Sequence, residues 1–79
     1  MIPLTVVGIG EEAIVKKVGG KPEIRKHLEN LGFVIGSGLT VICQQNGNII
    51  VKVKESRIAI SKEMACKIYV LQKQAGDVL

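Results

Sequence analysis

The sequence predicts a mainly β fold: a small closed barrel of about five short strands, with one α-helix inserted after the first strand and one helical turn before the last. Three observations carry that reading. Apolar residues alternate at period two through much of the chain, with β-branched Ile and Val prominent. A single stretch, Ile24–Leu31, shows helical spacing instead, and it ends on Gly32. Asn46-Gly47-Asn48 is a strong hairpin signal between two alternating runs. Closure into a barrel would remove the exposed edges of so short and apolar a sheet.

At 79 residues, the chain makes one domain over 1–79, near the lower size at which a core suffices without disulfide or metal staples. Hydrophobic residues make up 47%, far from a disordered composition. With one Phe, one Tyr and no Trp, the core must be aliphatic. Each buried Ile, Val or Leu contributes roughly 1.5–3 kcal/mol, so about fifteen are enough for a marginally stable fold.

In order, Ile2–Val7 reads as an extended lead-in, since Pro3 forbids an early helix. Glu11–Val18 is a first strand with imperfect alternation. Ile14, Lys16 and Val18 would share a face, which requires a bulge or an exposed lysine. Gly19-Gly20-Lys21 is a joint, Pro22 suits the first helical position, and Glu23 complements the helix dipole. Lys21 is a poor cap. A helix of about ten residues is marginal alone, so Ile24, Leu28 and Leu31 must pack it on the sheet.

Leu39, Val41 and Cys43 then face one way along the next strand, and Ile49, Val51 and Val53 do so on the return strand, with Ile50, Lys52 and Lys54 opposite. Glu55-Ser56 is a second turn, and Ile58 and Ile60 point inward beyond it. Ser61 can cap the turn Lys62–Ala65. Lys67–Leu71 closes the domain, and 72–79 is expected to be a frayed tail.

The function classes narrow quickly. The net charge of +4 and a pI near 9.3 permit acidic proteins, nucleic acids or anionic lipid as partners and select none. Cys43 and Cys66 lack CxxC spacing, so a disulfide framework is not expected and a reducing compartment suits them. No signal-peptide pattern or bilayer-spanning apolar run is evident, which points to the cytoplasm. No catalytic residue is identified, because a lone His27 without a nucleophile beside it forms no triad. The glycines of Gly8-Ile9-Gly10 and Gly36-Ser37-Gly38 lack the Lys-Ser/Thr of a phosphate loop.

Metal ligation by His27, Cys43 and Cys66 is not expected. His27 sits roughly 60–70° from the centre of the apolar helix stripe, a boundary position with a partly packed ring. Cys43 reads as a small buried hydrophobe, and nothing brings three or four ligands together. No cofactor is implied. A basic nucleic-acid-binding barrel is the rival from another class. Only Tyr69 offers an exposable ring, with Phe33 assigned to the core, and one ring is no stacking platform. A protein-binding surface is the positive reading. Its candidates are the polar helix side (Arg25, Lys26 and Glu29) and the basic hairpin face at Lys52 and Lys54.

The arrangement R-x-x-L-x-x-L-G-F-x-x-G, formed by Arg25, Leu28, Leu31, Gly32, Phe33 and Gly36, resembles the FeoA family. So do the strand Leu39–Ile42, the Asn-Gly hairpin and the ending R-I-A-I-S-K-E-M-A-x-x-I-Y-V from Arg57 to Val70. Two turns depart from the family pattern: Ile35 stands where proline is frequent, and Asn46-Gly47-Asn48 replaces a Gly-Asp-Pro hairpin. The resemblance implies an SH3-like barrel and a non-enzymatic cytoplasmic accessory protein of ferrous iron uptake. Its implied partner is FeoB, the membrane ferrous iron transporter with a cytosolic GTP-binding domain, and contact with the inner membrane would come only through it. The same module resembles the SH3-like domain of iron-dependent repressors, so a free-standing relative of that domain is the alternative within the fold.

Overall fold

A computed structural model of the chain describes residues 1–73. Among them, six strands form one antiparallel sheet in the order β1-β6-β2-β3-β4-β5. The strands are β1 (Ile2–Pro3), β2 (Glu12–Val18), β3 (Gly38–Gln45), β4 (Asn48–Val53), β5 (Ser56–Ser61) and β6 (Ile68–Lys73). Helix α1 spans Pro22–Leu31 and the single turn α2 spans Lys62–Ala65. The sixth strand is the two-residue β1, which pairs with β6 at Val70 and Tyr69. Pro3 does not keep the lead-in extended. It precedes a 3₁₀ turn at Leu4–Val6, which buries Leu4.

The sheet order ends at β1 and β5, so the ring of strand pairing stops there instead of closing. The seam is filled by helical turns: α2 packs on β4, β5 and the 3₁₀ turn, and the 3₁₀ turn packs on β6. Among the described residues the core inside this curved sheet is wholly apolar, with Phe33, Leu4, Leu28, Ile49 and Ile68 the largest of its fully buried side chains. Among the described residues no buried side-chain nitrogen or oxygen lacks a hydrogen bond. The core therefore carries no uncompensated polar cost.

The helix ends as its sequence dictates. Lys21 makes no side-chain cap, and Pro22 occupies the first turn. Gly32 takes φ 111°, a backbone state that penalises a Cβ. The Gly32 N–H donates to the Glu29 carbonyl at 2.9 Å and the Phe33 N–H to the Leu28 carbonyl at 3.0 Å. This is the Schellman pattern, which sets the residue after the glycine against the last apolar turn. Leu28 and Phe33 are both fully buried.

Two strands carry register shifts, the one in β2 falling at its alternation fault. In β2, Ala13 and Val15 face inward, and the pairing with β6 shifts between Val15 and Lys17, leaving Lys16 and Lys17 exposed. A second shift between Val41 and Cys43 interrupts β3, and Cys43 is half-buried rather than a core residue. His27 is exposed, not a boundary residue, because α1 buries only the narrow line through Leu28. The β3–β4 turn is Asn46-Gly47, with φ 44° and 81°, the positive pair a two-residue hairpin demands. The β4–β5 turn is Lys54-Glu55, one residue earlier than expected, with Lys54 at φ 57° and Ser56 opening β5. Strand β6 continues through Gln72 and Lys73, paired with Ala13 and Glu12. The rest of the expected tail, 74–79, lies outside the described residues.

Ser61 caps α2 by accepting from the Met64 N–H at 3.3 Å. Ser61→Ala is expected to cost about 1 kcal/mol, read as a lower urea midpoint with an unchanged slope.

Candidate functional site

Among the described residues no group of three His, Cys, Asp or Glu side chains could hold a metal ion. His27 and Cys66 are exposed, on α1 and just after α2, while Cys43 is half-buried on β3. The Cys66 thiol is engaged locally, donating to the Glu63 carbonyl at 2.9 Å. Two grooves border the loop Phe33–Ser37 that joins α1 to β3.

That loop is held in place by the sheet. The Val15 N–H donates to the Ser37 carbonyl at 2.9 Å and the Gly36 N–H to the Val15 carbonyl at 2.8 Å, which continues the β2–β3 pairing one step into the loop. The Ser37 N–H turns back to the Val34 carbonyl at 3.0 Å. Val34 and Ile35 are thereby pushed outward, and Ile35 is 72% exposed. This apolar tip is a feature the sequence reading missed. Its signal was the glycine bracket Gly32–Gly36, which forces the intervening residues out of both helix and strand.

The smaller groove, about 150 Å³, is lined by Val18, Arg25, Glu29, Phe33, Val34 and Ile35. Arg25 and Glu29 are four residues apart on α1 and so share a face. Lys26, one residue further round the helix, does not line it. The structure thus unites two of the three helix candidates and leaves the third apart.

The larger groove, about 470 Å³, lies on the outer face of β2, β3 and β4. Lys52 and Lys54 line it together, with Glu12, Ile14, Thr40 and the backbone at Gly36 and Gly38. Strand register explains the grouping. Glu12 pairs with Thr40, Thr40 with Lys52, and Lys52 with Arg57, so these side chains form one row across the outer face. Arg57 was not among the expected residues. The two-residue turn at Lys54-Glu55 is what sets it opposite Lys52.

Among the described residues no helix is long and apolar enough to cross a membrane. The chain is 42% identical over 76 residues to Fe(2+) transport protein A of Methanocaldococcus jannaschii, covering 96% of this chain and 93% of that one. It superposes with a TM-score of 0.84 on the crystal structure of an iron uptake regulatory protein, FeoA, at 30% identity over 91% of this chain and 96% of that chain. It shares its fold with the Stenotrophomonas maltophilia FeoA complexed with zinc, described as a prokaryotic SH3 domain protein, at TM-score 0.78 and 22% identity over 89% of each chain. The FeoA domain model matches residues 2–72, nearly the whole barrel, and the chain belongs to the FeoA family of ferrous iron transport.

Proposed function

We propose that this protein is a non-enzymatic cytoplasmic accessory of ferrous iron uptake that binds and modulates a FeoB-type transporter by protein–protein contact. The observation that carries this is the pair of grooves bordering one ordered loop, one lined by Arg25 and Glu29 and the other by Lys52 and Lys54. A standard protein interface covers about 800 Å² per partner, and one centred on the exposed Ile35 would draw on the charged wall of the groove it lines. Such a patch, apolar at its centre and charged at its rim, has the anatomy of an interface. Chemistry on GTP belongs to the partner, and this chain supplies a surface.

The test is a binding measurement with the full-length transporter of the same source in lipid nanodiscs. Saturable binding supports the reading, and its absence in both nucleotide states would overturn it. Arg25→Glu with Lys26→Glu is expected to leave melting unchanged and to slow association, with a weaker salt dependence, because rim charges act chiefly on the on-rate. An unaltered on-rate would remove α1 from the interface.

A further inference from the structure

We infer that the larger groove is a docking site for an extended acidic peptide segment of the protein partner. The inference rests on the transporter reading for the partner's identity, but on the groove's own chemistry for the ligand class. Lys52 and Arg57 are directly opposed across β4 and β5, and both are exposed. Like charges in that position repel one another. Lys54 adds a third cation at the same end, held there by its left-handed backbone in the turn. Two lysines lining the groove, with Arg57 next in the row beyond its edge, make an end that a carboxylate relieves.

The carboxylates nearby set the polarity. Glu12 lines the opposite wall, two strands from Lys52, about 10 Å away at the usual strand spacing. Glu55 is exposed in the turn beside Lys54. The groove is therefore basic toward β4, where Lys52 and Lys54 line it and Arg57 of β5 lies just beyond, so the ligand's acidic residues face that end. Gly38 forms part of the floor. A Cβ built there would point outward and meet only the Ala13 carbonyl, at 3.9 Å. Absence of a side chain at this point leaves room for a peptide backbone to lie flat. Neither Tyr69 nor Phe33 lines the groove, so bases would find no ring to stack on. An acidic protein segment is favoured over nucleic acid.

The experiment is an amide NMR titration of the labelled full chain with a short capped peptide of alternating Glu and Gly. The matching Gln-Gly peptide and an oligothymidylate are run in parallel. Expected are saturable shifts confined to Gly36, Gly38, Thr40, Lys52 and Lys54 with the Glu-Gly peptide alone. Gly38→Val retains every charge and the fold, and is expected to weaken binding about tenfold, equivalent to about 1.4 kcal/mol. Lys52→Glu with Arg57→Glu should abolish it. Scattered shifts, or a Gly38→Val chain that binds as tightly as the parent, would reduce the effect to bulk charge attraction and overturn the inference. So would oligothymidylate displacing the peptide from the same amides. Transporter binding that survives Gly38→Val sinks the groove while sparing the transporter reading. Peptide binding without transporter binding does the reverse.

Discussion

Phe33→Ala is expected to remove about 3–5 kcal/mol of stability, the cost of an emptied aromatic site in a core that relaxes only partly. A domain of this size has roughly 4–12 kcal/mol in hand at ordinary temperature, so the variant should stand near its folding threshold. The reason lies in its placement. Phe33 is the largest fully buried side chain, and it directly follows the left-handed Gly32 that ends α1. Its N–H closes the helix on the Leu28 carbonyl while its ring fills the interior. Core residues such as Val51 and Val53 are β-branched and stiff, which restricts how far the core can collapse into the space. Chemical denaturation would show the loss as a lower midpoint. Thermal melting would show it as a fall of at least about 12 °C, at roughly 4 °C per kcal/mol for a small domain. A variant melting within a few degrees of the parent would mean that the ring does not hold the core together.

Leu28→Ala should cost about 2–5 kcal/mol, with a different signature. Helix α1 buries only Leu28 completely, with Ile24 and Leu31 partly packed, and its first turn has no side-chain cap. A ten-residue helix without tertiary support is not stable in water. Loss of the one anchor is therefore expected to release α1 before the sheet. Amide exchange should quicken through Arg25–Leu31, while Val41 and Val51, paired in the middle of the sheet, retain their protection. The loop Phe33–Ser37 continues the helix, so exchange at Gly36 would report whether its pairing with Val15 holds it independently. Parent-like melting and exchange would place the weight of the helix on Ile24 and Leu31 instead.

Local physics made much of this protein legible in its residues. The helix, its glycine stop, the Asn46-Gly47 turn, the Ser61 cap and the inward face of β4 follow from backbone preferences and period-two alternation, whereas in β2 the inward pair Ala13 and Val15 was not read from the alternation of Ile14, Lys16 and Val18. These are properties of neighbours in the chain, so short windows of sequence contain them. The R-x-x-L-x-x-L-G-F-x-x-G segment carried the family likeness for the same reason, since its spacing is the geometry of a helix end. The register faults were half visible. Lys16 announced a bulge in β2, but nothing near Ile42 announced the one in β3, where apolar residues satisfy either face.

What only the tertiary structure decided is where separate segments meet. Pairing of Ile2–Pro3 with β6 depends on a partner nearly seventy residues away, and two residues carry no pattern of their own. An open seam filled by α2 and the 3₁₀ turn, in place of a closed ring of strands, depends on how the sheet curves. The candidate surfaces divide in the same way. Arg25 and Glu29 could be placed on one side of a helix from spacing alone. Lys52 and Lys54 could be assigned to a basic face, yet their meeting with Thr40, Gly38 and Arg57 required the strand register. A charge acquires a role through the charges across from it, and cross-strand neighbours are distant in sequence. The residues of this chain specify its elements, and the folding of those elements on one another makes the grooves.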